Sequence, residues 1–328
     1  MTMNNILNHI KNHKRQYILA SSMVLWFILI VVIAVNKTKV SHTGYESYDN
    51  VAFSVFGVTI AWYAIFILTG IVFGAIMAME EGDLLGIDRD HIYDGLLIAV
   101  PLAIVGARLY YVLFDPNGSY NSIGEVFAIR DGGLAIHGAV IVTIVFLIVF
   151  THYKKISIWK LLDLLAPGFL IGQIIGRWGN FFNQEANGIE TTRSFLRDTL
   201  KLPKFIVDNM YFYDSNVSTL GYFHPTFLYE GLWNLLGLTM MLILRRRKGL
   251  KSGDLIGIYL IWYGFGRAII EQYLRTDPLM LGSTDIRINV LNSIVVFMGG
   301  GAAFLVLKRI FFKALPDYVD TLKKVEEK

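Results

Sequence analysis

Two arginines, set among amides and carboxylates inside long apolar runs, are the residues of this chain best placed to do chemistry. Arg177 opens the polar stretch Gly176-Arg177-Trp178-Gly179-Asn180-Phe181-Phe182-Asn183-Gln184-Glu185-Ala186-Asn187-Gly188, directly after the apolar residues IGQII. Arg267 lies in Tyr263-Gly264-Phe265-Gly266-Arg267-Ala268-Ile269-Ile270-Glu271. Tyr263 and Glu271 are each four residues from Arg267, so all three share one helix face. His137 follows Asp131-Gly132-Gly133-Leu134-Ala135-Ile136 and precedes a long apolar run. The segment His224-Pro225-Thr226-Phe227-Leu228-Tyr229-Glu230 adds a second histidine, a tyrosine and a carboxylate. Charges within apolar spans are expensive and mark cavities or partners.

Each feature has a plainer reading. Arg177 can snorkel from a helix end, Arg267 and Glu271 can be a structural ion pair, and His137 can be hydrogen-bonded packing. A helix end needs no such run of amides, however, and the segments collect together. Paired guanidiniums with neutral amides suit a phosphate, because the planar fork of donors matches phosphate oxygens. Histidine exchanges a proton near neutral pH, so His, Glu and Tyr can handle a proton while the arginines hold a phosphate. The substrate class is a phospholipid entering from the bilayer. No H-E-x-x-H or dense acidic set offers a metal site, and no G-x-S-x-G marks a serine hydrolase.

The elements that must position these residues are membrane helices. Of 328 residues 54% are hydrophobic and 17% charged, against roughly 25% charged in soluble domains. Mean hydropathy is +0.50. Disorder and a nucleic-acid-binding domain are excluded despite a net charge of +4. The absence of cysteine excludes disulfides, a Cys nucleophile, thiolate zinc sites and Cys-linked lipid. Eight spans are expected, at 17–35, 58–79, 94–114, 134–151, 161–181, 225–244, 254–273 and 290–312, each near the 20 or so residues a bilayer requires. The first has no small-residue cleavage pattern after it and reads as an uncleaved anchor.

Placing both termini inside puts eighteen of the 30 Lys and Arg on the inner face and nine outside, with Arg108, Arg177 and Arg267 in spans. That asymmetry is the positive-inside pattern, and it sets all the polar segments toward the outer leaflet. The organisation expected is an N-terminal tail, extra helix and external loop (1–56), a membrane domain (57–312) with an external arm or lid at 182–224, and a cytoplasmic tail (313–328) forming an amphipathic or frayed helix.

GRWGNFFNQEANG resembles the signature of the bacterial prolipoprotein diacylglyceryl transferases, roughly G-R-x-G-N-F-x-N-x-E-x-x-G, at Gly176, Arg177, Gly179, Asn180, Phe181, Asn183, Glu185 and Gly188. AWYAIF, ARLYYVLFD, DGGLAIHGA, DLLAP, HPTFLYE and GFGRAIIEQYLRTD resemble the family in the same order, over about 57–312. The resemblance implies an all-α polytopic membrane enzyme. It would transfer the sn-1,2-diacylglyceryl group of phosphatidylglycerol to the lipobox cysteine thiol of a preprolipoprotein, forming a thioether and releasing glycerol 1-phosphate, with no cofactor and no metal. The thiol belongs to the substrate, which fits a chain without cysteine.

The resemblance further implies that Arg177 and Arg267 bind the phosphate, that Asn180, Glu185 and Gly188 shape the headgroup site, and that Glu271 positions Arg267. His137 would be the base for the thiol, with Tyr263 as a helper, and Tyr63 matches a tyrosine important in the family. The chain departs from the family in the extra helix 17–35, in Ala139 after Gly138, and in a four-residue step from Glu271 to Arg275 where three is usual. One residue turns a helix by about 100°, so Arg275 is given no ligand role. A transporter for an anionic solute predicts polar residues reaching both sides and internal repeats. A CDP-alcohol phosphotransferase predicts an Asp-rich metal motif. Neither pattern is read in the sequence.

Overall fold

The structure, a computed structural model, describes residues 14–115, 118, 120, 122–128, 132–276, 280–281, 284 and 286–323. Its framework is helical: α1 (Lys14–Val35), α2 (Trp62–Leu85), α3 (Arg89–Phe114), α4 (Ile136–Lys154), α5 (Ile158–Asn183), α6 (Thr226–Leu244), α7 (Asp254–Tyr273) and α8 (Ile288–Phe311). All but α7 are long and apolar enough to cross a membrane. The remaining expected span, 254–273, is α7, a 20-residue helix whose Asp254, Arg267 and Glu271 lower its hydropathy. The chain is therefore a multi-pass membrane protein. The expected span 58–79 starts later than hydropathy indicated. Val58–Ala61 is strand β4, paired antiparallel with β3 (Val51–Val55) through a turn with Phe56 and Gly57 at positive φ. Hydropathy alone does not distinguish a β-branched strand from the helix that follows.

The chain divides into two compact units. The first comprises residues 1–73, 169–240 and 260–303. Besides helical segments it holds the hairpin of β1 (Lys39–His42) and β2 (Tyr45–Tyr48), the β3–β4 hairpin, and the connection after α5. That connection, expected as an arm, is a folded piece. Strands β5 (Glu190–Thr191), β6 (Tyr211–Asp214) and β7 (Thr219–Phe223) form a sheet in the order β5-β7-β6, with a short helix at Lys204–Asn209. Inside this unit α2 and α5 cross backbone to backbone. A Cβ on Gly70 would lie 3.0 Å from Gly172 Cα, the close approach that small residues permit in membranes. Helices α6 and α7 are clamped by Trp233 and Trp262. Their rings stack at 4.1 Å, and each indole N–H donates to the other's backbone carbonyl, at 3.0 and 3.1 Å. Gly237 and Gly266 leave room for the two indoles.

The second unit comprises residues 74–168, 241–259 and 304–328. Its tightest pair is α3 and α4, where Gly106 meets Gly138: a Cβ on Gly138 would fall 2.1 Å from Gly106 O. Arg108, one of the three intramembrane arginines, is 4% exposed here. It donates to the carbonyls of Glu125, Val126, Gly132 and Gly133 at 2.7–3.3 Å. Arg108 thus pins the loop between these helices. The basic run 245–248 is partly spent on Glu81: Arg245 lies 3.2 Å and Arg246 2.5 Å from its carboxylate. The tail differs from the expected helix. Its described part is a strap with one 3-10 turn, Tyr318–Thr321. Tyr318 N–H donates to Leu250 O at 2.6 Å, and its fully buried hydroxyl donates to Glu81 at 2.7 Å. Burial, then the neighbouring Glu81 charge, raises the Tyr318 phenol well above its ordinary pKa. An aromatic anchor with a buried acceptor explains why an extended strap outcompetes a short surface helix. Residues 1–13 and 324–328, together with Asp131 and Asp277 of the quoted motifs, lie outside the described residues.

Candidate functional site

Three helices of the first unit bring the two arginines to one carboxylate. Arg177, near the C-terminal end of α5, pairs through Nη2 with Glu230 Oε2. Arg267, on α7, lies 3.6 Å through Nη1 from the same Oε2. Glu230 belongs to α6, three residues before Trp233, so the tryptophan clamp holds it beside α7. The Glu230 and Glu271 side chains are 6% and 1% exposed, those of Arg177 and Arg267 16% and 20%. Arg267 Nη2 reaches Glu271 Oε2 at 3.0 Å, the i,i+4 pair expected. Glu271 is fixed in turn by Asn289, whose Nδ2 donates to Oε1 at 2.6 Å, and Arg287 donates to its backbone carbonyl.

The amides and the loop after α5 form the other wall. Asn180 Nδ2 donates to Glu185 Oε1 at 3.0 Å, and Asn183 Nδ2 to the same oxygen at 3.3 Å. Glu185 is flanked by Gln184 at φ 50° and Ala186 at φ 61°. Two non-glycine residues in the left-handed region on either side of one carboxylate are a costly arrangement, of the kind found at binding sites. The loop is tied down by Glu185 N–H to Asn180 O (3.1 Å), by Asn187 Nδ2 to Gln184 O (2.9 Å) and by Thr226 Oγ1 to Ala186 O. A small cleft opens beside it, lined by Asn180, Glu185, Asn187, Asn209, Thr226 and neighbouring aromatic residues.

Two of the three signature glycines have steric reasons. A Cβ on Gly179 would lie 2.5 Å from the Tyr63 ring, so the tyrosine packs flat against α5. A Cβ on Gly188 would lie 2.7 Å from His224 Cβ. Gly188 N–H donates to His224 O at 3.2 Å, and its backbone also bridges that of Arg275. Gly188 therefore acts through close packing of backbone. Arg275 is buried, 7% exposed. His224 Nδ1 is 2.9 Å from the Tyr229 hydroxyl, and burial lowers the imidazole's pKa.

The expected residues separate into two groups. Tyr63, Arg177, Asn180, Glu185, Gly188, Tyr263, Arg267 and Glu271 all belong to the first unit, whereas His137 belongs to the second. Tyr263 sets its ring edge-on to Phe297 at 5.0 Å, in the π-helical stretch Ser293–Gly299 of α8. His137 is the second residue of α4, exposed, with its ring stacked on Tyr110 at 5.7 Å. Among the described residues no cluster of three His, Asp or Glu is arranged to hold a metal ion. Two residues without an assigned role in the sequence prove central: Glu230, which joins the arginines, and Asn289, which fixes Glu271. The signal for Glu230 was a carboxylate within an apolar helix. Nothing marked Asn289, whose partner is 18 residues away.

The arrangement can hold an anion: two guanidinium forks share one buried carboxylate, and a phosphate brought between them would find charge-assisted donors. The chain also has named relatives. Residues 50–306 match the family model described as prolipoprotein diacylglyceryl transferase. A phosphatidylglycerol–prolipoprotein diacylglyceryl transferase of Listeria innocua is 42% identical over 288 residues, covering 87% of this chain and 99% of the relative. One from Listeria monocytogenes is 43% identical over 78% of this chain and 88% of the relative. One from Bacillus cereus is 47% identical over 71% and 83%.

Proposed function

The chain belongs to the prolipoprotein diacylglyceryl transferase family, and we propose that its paired arginines carry the transfer of the diacylglyceryl group from phosphatidylglycerol to prolipoprotein, the first step of lipoprotein maturation. The observation that carries this reading is the sharing of Glu230 by Arg177 and Arg267. A phospholipid phosphate takes the free donors of the two forks, which Glu230 aims from behind. Asn180, Glu185 and the polar cleft beside them bind the glycerol hydroxyls of the headgroup, and Gly179 and Gly188 let Tyr63 and the backbone close around it.

The acceptor is the lipobox cysteine of a preprolipoprotein signal peptide. Its thiol gives a proton to His137 and attacks the glycerol carbon that carries the phosphate. The C–S bond forms as the C–O bond breaks, so glycerol 1-phosphate leaves with its bonding electron pair and one additional negative charge. Arg177 and Arg267 stabilise that developing charge in a site of low dielectric, where such donors are worth most. Glu271 and Asn289 hold Arg267 for the task, and Tyr263 assists the proton transfer. Both termini lie on the cytoplasmic side, the site faces the outer leaflet, lipid enters from the bilayer, and the sheet-bearing connection 182–224 covers the site as a lid. The lysine and arginine asymmetry supports that orientation.

The test incubates purified protein in micelles with phosphatidylglycerol and a lipobox peptide. Arg177→Ala should abolish release of glycerol phosphate, because the leaving group loses its counter-charge. Full activity of that variant would overturn the assignment.

A further inference from the structure

The family match begins at residue 50, so α1 and the β1–β2 hairpin lie ahead of it. We infer that this N-terminal segment is a scaffold for the phosphate-binding segment, acting at two points: Phe27 against Trp178, and Tyr48 against Asn209. The inference rests on the reading of Arg177 and the loop 184–188 as the phosphatidylglycerol site.

Helix α1 is exposed around most of its circumference, and Met23, Phe27, Ile30 and Ala34 form its less exposed stripe. Their spacing of three and four residues is one helix face. Ile30 and Ala34 are 5% and 0% exposed. Phe27 sets its ring edge-on to Trp178 at 5.5 Å and to Phe66 at 6.2 Å. Trp178 adjoins Arg177 and meets Phe227 edge-on at 5.4 Å on its other contact. Phe227 precedes Glu230 by three residues, on the same face of α6. Trp178 is thus wedged between α1 and α6 at the level of the arginine cluster, and its seat fixes the rotation of α5 there. Edge-to-face aromatic pairs are directional as well as apolar, so removing Phe27 frees Trp178 to turn.

The second point acts on the loop. Tyr48 N–H donates to Asn209 Oδ1 at 3.2 Å. Asn209 Nδ2 donates to Phe181 O at 2.9 Å, and its backbone carbonyl accepts from Gln184 Nε2 at 3.1 Å. The Tyr48 ring packs on Phe181 and Phe182 at 6.1 and 5.7 Å. Asn209 is 3% exposed. A buried asparagine whose amide nitrogen donates while its amide and backbone oxygens both accept is a fixed joint. It links the hairpin to Phe181, in α5, and to Gln184, whose left-handed backbone aims Glu185. Phe27 and Tyr48 are positioning residues, since neither is placed against substrate.

The test uses the full chain in mixed micelles and compares Phe27→Ala, Phe27→Leu and Trp26→Ala, the last on the exposed face of the same helix. Phe27→Ala should raise KM for phosphatidylglycerol about fivefold to tenfold with kcat within about twofold, the size of coupling expected between residues in contact. Phe27→Leu should recover most of the loss, and Trp26→Ala should leave both constants unchanged. In a Trp178→Leu background the Phe27→Ala change should vanish, because its partner is gone. All assays run well below each variant's melting temperature, where a role in stability alone leaves KM unmoved. An unchanged KM in Phe27→Ala, an equal loss in Trp26→Ala, or an undiminished effect in the Trp178→Leu background would overturn the inference. Full activity of Arg177→Ala would overturn the site assignment instead, which keeps the two failures apart.

Discussion

Replacing Glu230 by Gln is the sharpest perturbation of the arginine cluster. The amide preserves the shape of the side chain and one acceptor oxygen, so it still accepts from one guanidinium. What it removes is the charge that both arginines share. Arg267 Nη1 lies 3.6 Å from Oε2, and Arg177 lies closer. Two unit charges at that separation attract by about 4–5 kcal/mol at an effective dielectric near 20. Relief of the desolvation cost of a buried carboxylate offsets part of this, which leaves a net cost of about 3 kcal/mol for one unpaired guanidinium, at the low end of values for broken buried pairs. Each factor of ten corresponds to about 1.4 kcal/mol, so kcat/KM should fall about a hundredfold. The assay follows glycerol phosphate release at several mole fractions of phosphatidylglycerol, alongside a melting curve for each protein. Glu230→Asp, which keeps the charge on a shorter stem, should fall between the two. A Glu230→Gln protein that is folded and within about threefold of the parent would refute the argument that Glu230 aims the arginines.

Gly179→Ala places a methyl 2.5 Å from the Tyr63 ring; overpacking of this kind costs about 1–3 kcal/mol, so a lower melting temperature should accompany a raised KM for phosphatidylglycerol. His137→Gln should lower kcat by about 10²–10⁴-fold if the histidine takes the thiol proton, and a near-normal rate would place the base elsewhere. Tyr318→Phe strips the hydroxyl that donates to buried Glu81 at 2.7 Å, which should cost about 1–3 kcal/mol in melting experiments with no change in KM.

Much of the site was legible because charge inside apolar sequence is conspicuous. Arg177, Asn180, Glu185 and the Arg267–Glu271 pair stand out against their neighbours, and the i,i+4 spacing of the pair requires only that α7 be a helix. What joins them depends on contacts between distant segments. Glu230 bridges the arginines only because Trp233 and Trp262 clamp α6 to α7, and Asn289 reaches Glu271 from another helix. Arg108 has the same sequence signature as Arg177, yet it is spent on four carbonyl groups of one loop. A span-by-span reading does not separate an arginine that binds backbone from one that faces a site. The β3–β4 hairpin was missed because its apolar residues run without a break into α2, and the Tyr318 strap because its partners, Leu250 and Glu81, lie far away in the sequence. The close approach of Gly70 to Gly172 likewise becomes meaningful only once two helices are known to cross.

The most direct measurement is the product itself. The purified chain is given phosphatidylglycerol and two peptides, one with the lipobox cysteine and one with serine in its place, and the products are weighed by mass spectrometry. The account predicts that the cysteine peptide gains one diacylglyceryl group as one equivalent of glycerol phosphate appears, and that the serine peptide gains none. Unmodified cysteine peptide, or lipid transfer without glycerol phosphate release, would contradict it.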